Sequence, residues 1–248
     1  MYWARVKEFL EALPRGSLVA DVGCGDGKYF GVNPGTVMVG CDRSLMLLEV
    51  SQDRRVDSYC CDAAKVPLRS GAFDATICIA VLHHFSTVHR RIAVVRELAR
   101  ITRVGGTIMM QAWAQEQGDD SRYTFCEQDV MVPWKLQERF YYKEDESQIH
   151  NSTNDGNPRH VAPRPHDVSP DGACEHVVKE NGQLVYQRYC HVYRQGELLN
   201  ICSNVPGVRL LEDGWERGNW FVKLLRVEEP RDVGEGIYGD IPIGATRL

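Results

Sequence analysis

Short apolar runs alternate with longer amphipathic stretches along most of the chain. Five runs with the character of β-strands follow one another as LVADV, TVMVGC, DSYCC, FDATICIAV and GTIMMQAW. The intervals between them are of helical length. Strands that alternate with helices predict an α/β fold, with a parallel sheet and crossover helices on both faces.

Two segments carry the helical repeat of apolar positions. In WARVKEFLEAL, one helical face presents Val6, Phe9, Leu10 and Leu13. In STVHRRIAVVRELARIT, Ser86 is the expected N-cap, and the helix is expected to end at the Gly105-Gly106 pair. Its apolar stripe consists of Val88, Ile92, Val95, Leu98 and Ala99, and its basic residues include His89, Arg90, Arg91, Arg96 and Arg100. We expect His89, Arg90, Arg91 and Arg96 either to follow an RNA stem or to lie in solvent.

The pattern weakens between residues 115 and 187. The stretch KEDESQIHNSTNDGNPRHVAPRPHDVSPDG is polar and rich in Pro, Asn, Asp and His, which predicts a mobile insertion within one domain. Order returns at VYQRYCHVYRQGELLNIC, interpreted as a connecting segment and a helix. VRLLED and NWFVKLLRV then predict two more strands.

Composition narrows the class of protein. A chain of 248 residues with 43% apolar residues can bury one substantial core, so we expect one domain over residues 1–228 and a tail at 229–248. No apolar stretch approaches the roughly 20 residues that span a bilayer, and the amino terminus lacks a signal-peptide pattern. We expect a soluble protein of the cytoplasm, with the nucleus as a second location.

Charge and cysteine usage exclude two kinds of site. The net charge of -5 argues against binding nucleic acid by bulk electrostatics, so an RNA partner needs a local basic surface. The nine cysteines are scattered without a C-x-x-C spacing, so we predict reduced thiols and no metal site.

The run LVADVGCGDGKYF breaks from a strand into a glycine-rich turn. Its D-x-G-x-G-x-G spacing differs from the G-x-G-x-x-G of dinucleotide-binding proteins. Asp21 ends the first predicted strand, Asp42 the second and Asp62 the third. Each aspartate alone could be a turn or cap residue. Three acids at neighbouring strand ends suit a ligand that bears an amine, a ribose and an adenine.

These residues resemble the class I S-adenosylmethionine-dependent methyltransferases. The resemblance implies a Rossmann-like α/β fold with a seven-stranded, mostly parallel sheet and helices on both faces. It implies that Asp21 with Gly23 and Gly25 lies against the methionine part of the cofactor, Asp42 holds the ribose, and Asp62 contacts the adenine. The whole predicted cofactor site consists of Asp21, Gly23, Cys24, Gly25, Lys28, Asp42, Arg43, Asp62, Ala63, Ala80, Val81 and His83.

A narrower resemblance comes from motifs outside that turn. KYFGVNP, GCDRS, IAVLHHFST, WAQEQ, EQDVMVPW, RYCHVYRQGEL and GNWFV occur in the same order as in the eukaryotic tRNA wobble-uridine methyltransferases. That family esterifies 5-carboxymethyluridine in the anticodon loop of tRNA. The resemblance therefore implies 5-methoxycarbonylmethyluridine as the product. It also implies a heterodimer with a small zinc-binding activator protein.

A carboxylate nucleophile has a pKa of about 4 and is ionised at neutral pH, so its methylation needs no general base. The protein then has to position the substrate, exclude water and supply cationic or donor groups. The predicted catalytic residues are His84, Asp129, Arg188, Tyr189, His191 and Arg194. The alternatives are a solvated arginine, a phosphate-binding arginine, or a histidine that caps a helix. Trp113 and Trp134 are candidates for stacking on a base, with core packing as their alternative.

The chain departs from the family in three places. The family's longer amino-terminal segment is missing ahead of YWARV, which we expect to weaken cofactor closure or RNA binding. Cys190 stands where the family tends to have a second tyrosine, and Val104 where proline is common. Two other functions stay open: methylation of a small carboxylic acid, and a methyltransferase-like interaction protein without catalysis.

Overall fold

The computed structural model describes residues 2–53, 56–119, 121, 123–135, 177–180 and 183–229. Most of the predicted insertion and nearly all of the predicted tail lie outside these residues. The helices are α1 (Ala4–Glu11), α2 (Leu45–Asp53), α3 (Val88–Ile101) and α4 (Glu197–Ser203), with a 3-10 turn at Leu82–His84. The strands are β1 (Leu18–Val22), β2 (Val37–Asp42), β3 (Ser58–Cys60), β4 (Phe73–Ile79), β5 (Thr102–Trp113), β6 (Asp129–Lys135), β7 (Val177–Glu180), β8 (Gln183–His191), β9 (Val208–Glu216) and β10 (Asn219–Arg226).

Seven strands form the main sheet in the order β3-β2-β1-β4-β5-β10-β9. The first five are parallel, whereas β10 runs antiparallel to both β5 and β9. This arrangement confirms the predicted α/β fold with a seven-stranded, mostly parallel sheet. The carboxyl ends of β1, β2, β3 and β4 consequently meet along one edge of the sheet.

Helices pack on both faces of this sheet. On one face, α1 buries Val6, Phe9 and Leu10 against Val19 and Ile77 of the central strands. On the other face, the buried apolar residues come from α3, α4 and the alternate positions of the same strands: Val94, Val95, Leu98, Leu198, Ile201, Ala20, Ile108 and Met110. Both faces of the central strands are covered, which explains their nearly continuous apolar sequences.

Helix α3 differs from its prediction at both ends. Its N-cap is Thr87, whose side chain accepts a hydrogen bond from the Arg90 amide at 3.3 Å, and not Ser86. The helix ends at Ile101, before the glycine pair, because the chain enters β5 at Thr102. Val88 is 54% exposed, so the buried stripe begins one turn later than predicted.

Arg91 is on the buried side of α3 and is only 2% exposed. Its Nε donates to the carbonyl of Phe85 at 2.8 Å, and its Nη1 lies 3.7 Å from a carboxylate oxygen of Glu197. The prediction of a solvated or RNA-tracking role for Arg91 is therefore wrong. Burial of the Arg91 charge is tolerated because the guanidinium has a carbonyl as hydrogen-bond acceptor and a carboxylate as ion-pair partner.

A second, three-stranded sheet has the order β6-β8-β7 and occupies both ends of the predicted insertion. The sequence analysis predicted no strand between residues 115 and 187. Strand β6 is a short apolar run that contains Pro133, and β8 has no regular alternation of apolar and polar residues, so neither carries the pattern that identifies a half-buried strand. Their antiparallel register sets Asp129 opposite His191 and Met131 opposite Tyr189.

Among the described residues, no helix is both long and apolar enough to span a lipid bilayer.

Candidate active site

The glycine-rich turn after β1 is held tightly against two neighbouring strand ends. The amides of Gly23 and Cys24 both donate to the carbonyl of Cys41, at 2.7 and 2.9 Å. Gly23 has a φ of +86°, and a Cβ built on it would lie 2.1 Å from Cγ2 of Val81. Only glycine satisfies both the backbone angle and the close approach at this position.

Asp42 joins the turn to the start of α2. Its Oδ2 accepts the Gly25 amide at 2.9 Å, and its Oδ1 accepts the Ser44 amide at 2.8 Å. The Asp62 carboxylate accepts the Ala64 amide at 2.8 Å in the same manner. Both aspartates thus stabilise a turn, which the sequence analysis gave as the alternative to binding a ligand. Each carboxylate oxygen can accept a second hydrogen bond, so the turn role leaves both side chains able to bind ribose or adenine groups.

Asp21 is 1% exposed at the end of β1. Its Oδ2 is buried and has no hydrogen-bond partner among the described residues. Burial, and secondarily the charge of Asp42, raises the pKa of Asp21 to about 8. A buried carboxylate oxygen without a partner fits a positively charged or hydrogen-bond-donating ligand, which the S-adenosylmethionine cofactor would provide.

The residues that follow β4 lie against the glycine-rich turn. Ala80 has a φ of +60°, an uncommon backbone conformation for a residue other than glycine, and its amide donates to the Gln111 carbonyl at 2.8 Å. The next residue, Val81, contacts Gly23 as described above. Backbone strain of this kind is found where a ligand or a reaction is positioned. Cys24 is buried in the turn, whereas the side chain of Arg43 is exposed and Ala63 is half-buried.

Two histidines follow β4. His83 is 2% exposed, and burial, with smaller contributions from His84 and Arg188, lowers its pKa well below the usual value. Its Nδ1 accepts the Trp113 amide at 3.4 Å. Desolvation and Arg188 also lower the pKa of His84, to about 4. More than a third of His84 is open to solvent, so we expect the pKa of His84 to be lowered less than that of His83. Both imidazoles are therefore neutral at pH 7.

His83, His84 and Cys190 bring potential metal-ligand atoms within 4.8 Å of one another. The two ring nitrogens whose contacts are resolved already have partners, because His83 Nδ1 accepts the Trp113 amide and His84 Nδ1 lies 3.1 Å from the Tyr189 carbonyl. The charge of Arg188 acts on all three side chains and opposes a cation there. We therefore assign no metal to this cluster.

Strands β6 and β8 bring four of the six predicted catalytic residues into contact with one another. His84 contacts the backbone of Tyr189, and the Tyr189 hydroxyl donates to Asp129 Oδ1. The Nδ1 of His191 lies 2.8 Å from the same oxygen of Asp129. These hydrogen bonds, from Tyr189 first and then His191, lower the pKa of Asp129. We call this group of hydrogen-bonded residues, His84, Asp129, Tyr189 and His191, the network; Asp129 accepts two of its hydrogen bonds and lies in β6, not in a loop.

The second ring nitrogen of His191, Nε2, lies 2.7 Å from Glu197 Oε1. The other oxygen of Glu197 accepts from Gln128 Nε2 at 2.6 Å and from the Arg194 amide at 3.1 Å. Glu197 is thus the residue that connects β8 to α4 and to buried Arg91.

Sequence reasoning missed Glu197, Gln128 and Gln115. Gln115 Oε1 accepts from Arg194 Nε at 2.9 Å, which holds this exposed arginine at the edge of the network. Glu197 had a usable signal, since an acid in the first turn of a helix, directly after RYCHVYR, is well placed to meet basic side chains. The two glutamines had none, because an amide in a polar stretch is unremarkable in sequence.

Aromatic rings surround this network. The Arg188 guanidinium lies over the ring of Trp134, 5.0 Å from its centre. The ring of Trp113 lies 5.4 Å from that of Tyr123, which stacks on Phe125. Trp113 is only half-buried, so its position at the end of β5 is not a core position. Cationic and aromatic groups therefore line the same region.

Comparison with known proteins agrees with this geometry. The methyltransferase domain family matches residues 20–110. A tRNA (carboxymethyluridine(34)-5-O)-methyltransferase of Schizosaccharomyces pombe is 36% identical over 89% of this chain and 86% of its own length. The chain belongs to this methyltransferase family. The protein of that name from Saccharomyces cerevisiae is 34% identical over 89% of this chain and 87% of its own length. Membership confirms the predicted family and, with it, the class of S-adenosylmethionine-dependent methyltransferase.

Some relatives are much longer. The tRNA (carboxymethyluridine(34)-5-O)-methyltransferase alkbh8 of Xenopus tropicalis is 35% identical over 91% of this chain but only 38% of its own length. The chain thus spans about two-fifths of the vertebrate relatives of this name that it matches. Among solved structures, an S-adenosylmethionine-dependent methyltransferase from Clostridium acetobutylicum superposes with a TM-score of 0.61 at 9% identity, covering 92% of this chain and 93% of its own. That likeness supports the fold alone.

Proposed function

We propose that this protein transfers a methyl group from S-adenosylmethionine to the carboxylate of 5-carboxymethyluridine at the wobble position of tRNA, forming 5-methoxycarbonylmethyluridine. The observation that carries the proposal is the similarity to two fungal methyltransferases of this specificity over nearly the full length of each. The arrangement of polar side chains beside the glycine-rich turn supports it. The roles of individual residues are part of the proposal.

The bound cofactor would supply a methyl group on a positively charged sulfur. Asp21, Gly23 and Gly25 would hold its methionine part, Asp42 its ribose and Asp62 its adenine. The substrate carboxylate is already an anion at neutral pH, so the protein has no proton to remove. Its task is to hold the attacking oxygen in line with the methyl group and to keep water out.

The neutral state of His83 and His84 suits this task. A positive charge directly at the attacking oxygen would stabilise the anion before reaction and reduce its nucleophilicity. Two uncharged imidazoles line the site without that effect. Arg188, oriented by the ring of Trp134, would instead bind the carboxylate from the side or the neighbouring phosphate. The network of Asp129, Tyr189 and His191 would orient the uracil ring.

The tRNA anticodon loop and a small zinc-binding activator protein are the proposed partners. With a net charge of -5, the chain needs local cations for RNA, and Arg188 and Arg194 are the best placed. Among the described strands, β3 has only three residues, pairs with β2 alone and so lies at an edge of the sheet, and the exposed Leu45 follows β2 closely. An open sheet edge beside apolar surface suits a protein partner.

The test is methyl transfer from radiolabelled S-adenosylmethionine to tRNA that carries 5-carboxymethyluridine at the wobble position. The assay is run with and without the activator, with the unmodified tRNA as control. Transfer to the carboxymethylated tRNA alone is expected. Transfer to a free carboxylic acid without tRNA would favour a small-molecule enzyme. Cofactor and tRNA binding without any transfer would favour a non-catalytic interaction protein.

A further inference from the structure

Several buried polar atoms without partners lie on one face of the sheet. Among the described residues, Asp21 Oδ2, Gln111 Oε1, Asn219 Oδ1 and the Tyr29 hydroxyl are all buried and make no hydrogen bond. Register explains why three of them are neighbours. Asp21 pairs with Ile77, Ile79 with Gln111, and Gln111 with Phe221, two residues from Asn219. Paired residues share a face, and Asp21, Gln111 and Asn219 each stand two residues further towards the carboxyl edge than the one before, so these side chains form one diagonal row on that face.

Gln111 is the central member of this row and is completely buried. Its Nε2 donates to Glu216 Oε2 in a long bond of 3.4 Å, which turns the carbonyl oxygen away from Glu216. Its backbone carbonyl accepts the amide of the strained Ala80 at the end of β4. The carboxamide is therefore anchored at two points beside the cofactor turn, with its acceptor unused.

An acceptor row of this kind fits a cation. Burial first, and then the charges of Asp21 and Glu216, raise the pKa of Tyr29 well above its usual range. An open cavity of about 370 Å³ is lined by Tyr2, Trp3, Ala4 and Arg217. The Tyr2 ring lies 6.0 Å from that of Tyr29, and the Arg217 carbonyl accepts from Asn219 Nδ2 at 3.0 Å. The Lys28 ammonium lies 5.3 Å from the ring centres of both Trp3 and Tyr29. The acceptors suit the ammonium group of an α-amino acid, and the nearby Lys28 ammonium suits its carboxylate.

We propose that Gln111 binds the ammonium group at the amino-acid end of S-adenosylmethionine, and that Glu216 is a positioning residue that orients its carboxamide. Asp21 and Tyr29 complete the acceptor set, and Lys28 faces the carboxylate. The proposal rests on the cofactor of the proposed function and adds β5 and β9 to a site otherwise built from β1, β2, β3 and β4. It also explains why the fold tolerates buried oxygens without partners.

The test measures ligand binding by calorimetry in the absence of tRNA. Three ligands are compared: S-adenosylmethionine, S-adenosylhomocysteine, and 5′-methylthioadenosine, which lacks the amino-acid end. Gln111→Leu should weaken the first two by about 10- to 100-fold and leave methylthioadenosine within about twofold. Glu216→Leu should also weaken binding of S-adenosylmethionine and S-adenosylhomocysteine but not of methylthioadenosine, and its loss of affinity should be smaller. Because no tRNA is present, failure of the tRNA reaction would not affect this outcome.

Thermal unfolding of the ligand-free protein separates binding from folding. Gln111→Leu removes an unsatisfied buried oxygen, so its Tm should equal or exceed that of the wild type. The matched control is Thr76→Val, on the opposite face of β4, whose buried hydroxyl is 2.7 Å from that of Thr102. This control should lower the Tm and leave all three affinities unchanged.

Two outcomes would overturn the proposal: equal losses for methylthioadenosine and S-adenosylmethionine, or wild-type affinity of Gln111→Leu for every ligand. Should that variant fail to fold, Tyr29→Phe tests the same pocket by removing a single oxygen. It should weaken only the two ligands with an amino-acid end, and a uniform or absent effect would count against the proposal.

Discussion

Burial decides the protonation state of the side chains at the carboxyl edge of the sheet. Asp21 and His83 are almost fully buried, and in each case burial disfavours the charged form. Asp129 is 62% exposed at its side chain and has its pKa lowered instead, because Tyr189 and His191 donate to it. Residue identity alone would have assigned Asp21 and Asp129 the same charge.

Asp21 makes stability depend on pH. Its pKa is raised to about 8 in the folded protein from an unfolded value of 3.8, so the folded state binds the proton more tightly. Its favourable contribution is complete below the unfolded value and is lost as pH rises towards 8. Asp21→Asn should therefore have a higher Tm than the wild type at pH 8.5, with a smaller difference at pH 5, in the ligand-free protein. Parallel pH profiles of the two proteins would contradict this.

The same linkage predicts the pH dependence of cofactor binding. A cationic ligand favours the ionised form of Asp21, so binding releases a proton wherever the free protein holds one. The affinity for S-adenosylmethionine should consequently rise from pH 6 to pH 8 in the wild type. Asp21→Asn should lose that slope and bind more weakly at pH 8. Calorimetry in two buffers of different ionisation enthalpy would reveal the released proton.

Glu197 supports the network from one side. It accepts from His191, Gln128 and the Arg194 amide, and it faces the buried Arg91. Glu197→Gln should lower the free energy of unfolding by about 1–3 kcal/mol and reduce methyl transfer at least tenfold, because a charged partner is lost. Affinity for the cofactor should be unchanged.

The control for Glu197 is Glu212→Gln, which removes an exposed ion pair with Arg5 at 3.3 Å and should change neither stability nor transfer. Loss of cofactor affinity in Glu197→Gln would mean that the network supports the cofactor turn instead.

At the scale of elements, the strong periodic patterns were predicted well and the polar strands were not. The five parallel strands and α1 follow directly from apolar periodicity, and the sheet confirms them. Strands β6 and β8 were missed because β6 is a short run interrupted by Pro133 within a polar stretch and β8 lacks a regular alternation of apolar and polar residues. The end of α3 was misplaced because the chain turns into β5 before its glycines.

The turns before and after β1 offer a test with a matched pair of glycines. Gly23 and Gly16 share a left-handed φ, +86° and +87°, but a Cβ at Gly16 would meet nothing within 4 Å. Gly16→Ala should therefore cost only about 1 kcal/mol of stability and leave cofactor affinity unchanged. Gly23→Ala adds a collision with Val81 and should abolish measurable cofactor binding. Similar effects in both variants would show that backbone strain alone is responsible.

At the scale of the whole molecule, the net charge of -5 means that the proposed binding of RNA would need a few local cations. Arg188→Ala should reveal which group this arginine meets. A phosphate contact predicts equal weakening for carboxymethylated and unmodified tRNA, with the slope of log affinity against log salt reduced by about 1. A contact with the reacting carboxylate predicts weakening for the modified tRNA alone. Unchanged affinity for both would remove Arg188 from the interface.

The sequence by itself determined where the proposed cofactor residues lie, because Asp21, Asp42 and Asp62 stand at or just after the end of a strand and parallel strands align their carboxyl ends. Local order along the chain is enough for that inference. The rest of the site was decided by tertiary structure. Glu197, Arg91 and Gln111 have hydrogen-bond or ion-pair partners on distant segments, which burial and strand register bring together. No local sequence signal marks Arg91 or Gln111 for these contacts. Hydrophobic periodicity encodes elements, whereas the partners of a buried charge depend on how those elements pack.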